Sequence, residues 1–213
     1  MPGIHDLALF LVAGILLNLT PGPDTLFVLS QGAARGFRGG AVAALGIGTG
    51  CCVHILAAAV GLSALLIAST TAFTVLRWVG ALYLIWIGIS MLRGGVPSAA
   101  RDTTTAAADD LRRVFLRGVL TNALNPKVAM FFLAFLPQFV DPASAHRTLA
   151  FLLLGGLFNL SGTIWNLTLA WLGSRAAGRF KGGARLGQWL TRGVGALFVV
   201  VGIRLLVADR ATP

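Results

Sequence analysis

The chain has 213 residues, 56% of them hydrophobic and 11% charged, with a mean hydropathy of +0.84. Soluble domains carry about 25% charged residues; a chain this apolar cannot cover its own surface with polar groups, which excludes a water-soluble globular protein. The balance is basic, with 17 Lys and Arg against 7 Asp and Glu. These residues fall mostly between apolar segments, where they orient a membrane protein and touch anionic head groups, so no nucleic-acid partner is expected.

Six helices are predicted. The first runs from about Ile4 to Thr20, meets Pro21-Gly22-Pro23 and resumes from Asp24 to about Gly32. Met1 to Asp6 carries no basic signal-peptide region, so this segment is expected to be retained. The second helix covers about Gly40 to Ile67, within a run from Gly39 to Leu76 that has no Asp, Glu, Lys or Arg. A bilayer core of about 30 Å needs roughly 20 apolar helical residues, and barrel strands would alternate apolar and polar residues instead. The third helix covers about Phe73 to Leu92. A polar link from Arg93 to Arg113 follows. The fourth starts near Phe115, is interrupted at Asn125-Pro126 and ends before Pro142. The fifth covers about Thr148 to Gly173 and the sixth about Gln188 to Val207.

The two halves read as repeats. Arg77-Trp78-Val79-Gly80-Ala81-Leu82-Tyr83 in the third helix matches Arg192-Gly193-Val194-Gly195-Ala196-Leu197-Phe198 in the sixth, and the first and fourth helices are each broken by proline. Three helices is an odd number, so the second half must enter the membrane from the opposite side, as in inverted-repeat transporters. The expected fold is an all-α integral membrane protein of about six transmembrane helices. Residues 1–92 and 114–213 form the inverted three-helix repeats, and 93–113 form a cytoplasmic linker. Eleven Lys and Arg lie in the three connections on one side, with Arg77, Arg147 and Arg210 opposite. The basic side is cytoplasmic, which puts both termini outside.

The breaks are the places for chemistry. Pro21, Pro23 and Pro126 lack an N–H and free the carbonyls of Leu17, Leu19 and Asn122. Freed backbone groups at membrane depth persist only where protein or a water-lined cavity satisfies them. Each resumed half-helix also presents N–H groups, around Asp24 to Leu26 and Lys127 to Ala129, at the positive end of a dipole. One cavity thus offers both poles that a zwitterion needs. The candidate substrate site comprises Asn18, Thr20, Pro21, Gly22, Pro23 and Asp24 from the first break, and Asn122, Asn125, Pro126 and Lys127 from the second.

Lys127 lies at a depth that costs roughly 2.5–3.5 kcal/mol; it contacts a substrate carboxylate or Asp24, or snorkels to an interface. Asp24 either caps its helix or acts directly, and with His54 it is a candidate for proton coupling. Asn159 and Asn166 read as interhelical glue, and the glycines at 46, 48 and 50 as close helix packing. Cys51 and Cys52 are adjacent in an apolar run and read as small packing residues. No cofactor or metal site is expected.

Asn18-Leu-Thr-Pro-Gly-Pro-Asp24-Thr-Leu-Phe-Val-Leu-Ser30, followed by Ala34-Arg35-Gly36 and Ala44-Leu-Gly-Ile-Gly48, resembles the N-terminal signature of the LysE/RhtB translocators. Leu124-Asn-Pro-Lys127 through Phe132 to Val140 resembles the second signature of that family, and Gly80-Ala81-Leu82-Tyr83-Leu84 a third. The resemblance implies export of amino acids or analogues (homoserine, threonine, leucine or lysine) from the bacterial inner membrane, driven by the proton motive force. The family often has asparagine at the Asp24 position, so the resemblance does not make that carboxylate obligatory. The alternatives are an exporter of another small solute or a metal, and a membrane thiol oxidoreductase using Cys51 and Cys52. Assembly as a homo-oligomer is left open.

Overall fold

The computed structural model describes residues 3–62 and 111–175 continuously, with isolated positions between 71 and 93 and between 192 and 203. Most of the third and sixth predicted helices, most of the repeat motif they share and residues 94–110 of the linker lie outside the described residues.

Helix α1 (Leu7–Leu19) is apolar on every side: Phe10, Ala13 and Leu17 face inward while Leu9, Val12 and Ile15 stay exposed. A helix apolar all round belongs in lipid or a large core. It stops where the two prolines remove donors. The Thr20 N–H bonds the carbonyls of Leu16 and Leu17, and its hydroxyl donates to the Leu16 carbonyl at 2.8 Å. Gly22 is extended, and α2 (Pro23–Leu56) starts with proline in the first turn, where a missing N–H costs nothing.

The connection between the first two predicted helices contracts to one residue. Gly36 sits at φ 69, ψ −175 inside α2, a conformation essentially restricted to glycine. Helix runs up to it and restarts directly after it, so segments 23–35 and 37–56 double back as a hairpin. Small residues permit the close return: a Cβ on Gly40 would come within 3.1 Å of the Gly32 Cα. The second arm ends in a π-helical turn, Ala57–Leu62.

Helix α3 is described over Leu111–Ala123. After the break at residues 124–125 the chain resumes as α4 (Pro126–Met130), a π turn (Phe131–Phe135) and a 3-10 turn (Leu136–Phe139), bent 44° from α3. Helix α5 (Arg147–Arg175) follows. Pro23–Leu62 contains a stretch apolar and long enough to cross a membrane, as does Arg147–Arg175, and the bent α3–α4 pair makes a third candidate span.

Contacts at the outer ends of the two broken helices define direction. The His5 N–H donates to the Phe139 carbonyl at 3.1 Å and the Asp141 N–H to the Gly3 carbonyl at 2.9 Å, beside a single bridge between Ile4 and Val140. The start of the first broken helix therefore meets the end of the second, and the two run in opposite directions. From there α5 returns, and its last turns lie against Gly32 and Gly40. Arg35, Arg38, Arg112, Arg113 and Arg175 gather at that far end.

Two cores flank the breaks. One is aromatic. Phe131 stacks on Phe158 at 4.5 Å, Phe135 lies 4.9 Å from Phe139, and Phe10 meets Phe139 edge-on at 5.3 Å. The other, around Val28, Ala43, Ile47 and Ala170, lets backbones approach. A Cβ on Gly118 would lie 2.8 Å from the Ala43 carbonyl oxygen, and one on Gly173 2.8 Å from that of Leu29. Gly46 and Gly50 abut the α3 backbone, which is the close packing expected of them. Large apolar side chains also cover the outside, with Leu124 77% exposed beside the second break; water disfavours such a surface, and lipid does not.

Candidate functional site

The two breaks close each other. Asn125 caps α4: its Oδ1 accepts the Lys127 N–H at 3.0 Å, and Pro126 in the next position needs no partner. This cap sends the Lys127 side chain across to the first break. There its ammonium donates to the Leu17 carbonyl at 3.3 Å and the Thr20 carbonyl at 3.1 Å. A cation suits the carbonyl end of α1. Gly22 leaves room for it, since a Cβ there would come within 3.1 Å of Nζ.

The return contact comes from Asp24, in the first turn of α2. Its Oδ2 accepts the side-chain amides of Asn122 at 2.9 Å and Asn125 at 3.1 Å. The Asn122 carbonyl, freed by Pro126, accepts from His54 Nε2 at 3.0 Å. A carbonyl only accepts, so this His54 nitrogen carries the proton. The ring lies over Phe132 with centroids 5.8 Å apart.

Several expectations change in detail. The Leu17 carbonyl, expected to suit a substrate ammonium, holds the ammonium of Lys127 instead. The Lys127 N–H, expected open for an anion, is capped by Asn125, and those of Leu26 and Ala129 bond the carbonyls of Gly22 and Asn125. Asp24 does not cap its own helix: Gly22 holds the cap position and the carboxylate reaches to the other break. Lys127 and Asp24 make no direct ion pair with each other. Asn18 is held by α5, its amide donating to Ser161 Oγ at 3.1 Å and the Phe158 carbonyl at 3.4 Å.

A narrow cleft of about 30 Å³ opens beside this crossing, between α1, α2, α3, α4 and α5. Asn18, Asp24, Asn122 and Lys127 line it, while Thr20, Pro21, Gly22, Pro23, Asn125, Pro126 and His54 are not among its lining residues. Three buried polar atoms among its lining residues have no hydrogen-bond partner: Asp24 Oδ1, Asn122 Oδ1 and Trp165 Nε1. Buried polar groups are almost always paired, so this cluster suits a ligand with both donors and an acceptor.

Sequence reasoning missed Trp165, Thr163 and Gly48 as lining residues. A signal existed for one of them: Trp165 sits in the middle of a span, whereas tryptophans favour membrane interfaces. Asn159 lines the cleft and ties α5 to α2, donating to the Gly48 carbonyl at 3.1 Å. Cys51 is buried in the wall, and Cys52 is exposed with its thiol on the Gly48 carbonyl. Both are free thiols. No group of three His, Cys, Asp or Glu side chains suited to a metal occurs among the described residues.

The model of the LysE type translocator family matches residues 15–209. An uncharacterised membrane protein of Pseudomonas aeruginosa is 37% identical over 209 residues, 97% of each chain. The homoserine/homoserine lactone efflux protein of Salmonella typhi is 34% identical over 203 residues, 95% of this chain and 96% of that one. The leucine efflux protein of Salmonella choleraesuis is 32% identical over 152 residues, 71% of each. No solved structure matches. Together with the apolar helices, the break motifs and the cleft, these matches make the chain a multi-pass membrane transporter and not an enzyme, and it belongs to the LysE translocator family.

Proposed function

We propose that this protein exports small amino acids or their close analogues across the bacterial inner membrane. The observation that carries this reading is the composition of the cleft. It holds the unpaired oxygens of Asp24 and Asn122 as acceptors for an ammonium, and the Lys127 cation for a carboxylate. Homoserine, threonine, leucine and lysine are the candidate substrates, and the names of two relatives support the homoserine and leucine classes.

The opposite directions of the two broken helices support two inverted three-helix halves, residues 1–92 and 114–213, with the linker at 93–113. The arginines at the Gly36 end support a cytoplasmic placement for it, with both termini outside. Transport is driven by the proton motive force, and Asp24 or His54, linked through Asn122, is the proposed proton carrier. The test is efflux from cells preloaded with each candidate amino acid, with intracellular pools measured. Faster emptying than in cells lacking the protein is expected for at least one substrate, and its collapse when the proton gradient is dissipated. A panel in which no amino acid leaves faster would overturn the reading.

A further inference from the structure

Trp165 is the one unpaired donor among the three orphaned polar atoms of the cleft. Its ring packs against the cluster that contains Val28 and Ile47. It is not an interface anchor. That role is filled on the same helix by Trp171, whose ring carries the Arg175 guanidinium at 4.5 Å. A buried N–H left without an acceptor is unfavourable, and burial of the ring alone does not require one.

Lys127 is anchored at Leu17 and Thr20, Asp24 and Asn122 line the cleft beside it, and Trp165 joins the same lining from α5. An α-amino acid with its carboxylate toward Lys127 and its ammonium on Asp24 Oδ1 and Asn122 Oδ1 directs its side chain toward Trp165. We infer that Trp165 is a specificity residue, its indole N–H donating to a hydroxyl or carbonyl oxygen on the substrate side chain. The preferred ligands are then amino acids with an oxygen acceptor on the side chain, ahead of their hydrocarbon isosteres. Sites built to bond a polar group reject the analogue that lacks it far better than apolar pockets reject an added hydroxyl. This inference rests on the amino-acid exporter reading.

Homoserine and 2-aminopentanoate differ by a hydroxyl in place of a methyl, and they form the test pair. Efflux of each from preloaded cells is compared for the wild type, Trp165→Phe and Trp165→His, normalised to protein in the membrane. The wild type is expected to favour homoserine by about tenfold or more, as one buried hydrogen bond left unmade predicts. Trp165→Phe should bring the ratio close to one while 2-aminopentanoate efflux persists, which also reports correct folding. Trp165→His keeps a ring N–H and should retain part of the preference. A wild type that exports both equally, or a Trp165→Phe ratio that does not move, overturns the role of Trp165 and leaves the exporter reading standing. Loss of both substrates in Trp165→Phe at normal membrane levels also overturns it, because the residue then supports the cleft without selecting. If the wild type exports no amino acid of any kind, the exporter reading fails and this inference with it.

Discussion

Lys127 and Asp24 carry the sharpest tests at the scale of single residues. Lys127→Gln keeps a donor for the Leu17 and Thr20 carbonyls but removes the charge offered to a carboxylate. A hydrogen bond to a charged group is worth about 1.5–3 kcal/mol, so the half-saturating concentration for efflux should rise about tenfold or more while the protein still inserts. Unchanged kinetics would make Lys127 a structural cap on α1. Asp24→Asn retains an oxygen for the Asn122 and Asn125 amides but replaces the free acceptor Oδ1 with a donor. Ammonium recognition should weaken by a similar factor, read in the same assay. The same variant tests coupling, because export that no longer responds to an imposed proton gradient identifies the Asp24 carboxylate as the proton carrier. Both residues were legible in the sequence because an ionisable group at membrane depth is costly and stands out. Their partners were not: which carbonyl or amide each one meets depends on how the halves cross, and spacing along the chain carries no such information.

Among the elements, two glycines fail for different reasons when altered. At Gly36 an added methyl meets nothing within 4 Å, so Gly36→Ala is opposed only by its backbone angles, at a cost of about 1–3 kcal/mol. At Gly118 the angles are helical, but a methyl would lie 2.8 Å from the Ala43 carbonyl oxygen, forcing α2 and α3 apart. Both variants should lower the thermal midpoint of the detergent-purified protein, and only Gly118→Ala should also perturb the cleft and hence substrate affinity. Gly156→Ala, whose methyl meets open space on a helix, is the control and should be neutral. The helix order and both proline breaks were readable, since proline acts locally and apolar runs measure span length. The hairpin at Gly36 was read as a longer loop, because a single glycine at positive φ has the same letter as one that only packs. The π turn at Phe131–Phe135 follows from aromatic packing between distant segments, which no local pattern encodes.

For the whole molecule, the test is orientation. With Cys51→Ser and Cys52→Ser as background, a cysteine placed at Pro213 should react with an impermeant reagent added to intact spheroplasts, and one at Arg112 should not. The reverse pattern would invert the proposed topology. The background protein should itself export normally: the Cys52 thiol donates to the Gly48 carbonyl and its sulfur accepts the Asn159 amide, contacts a serine hydroxyl also makes. The all-helical membrane class was legible from hydropathy, whereas the cleft arises from contacts between segments about a hundred residues apart. Those contacts have a mechanical consequence. The bonds from Lys127 to α1 and from the Asn122 and Asn125 amides to Asp24 are strong because little water competes for them. Once water enters the crossing, it takes the same donors and acceptors, so the first loosening weakens what resists the next. A fastening of this kind does not stretch by degrees. It holds or lets go, and a carrier fastened in this way spends its time at the ends of its cycle and little of it half open.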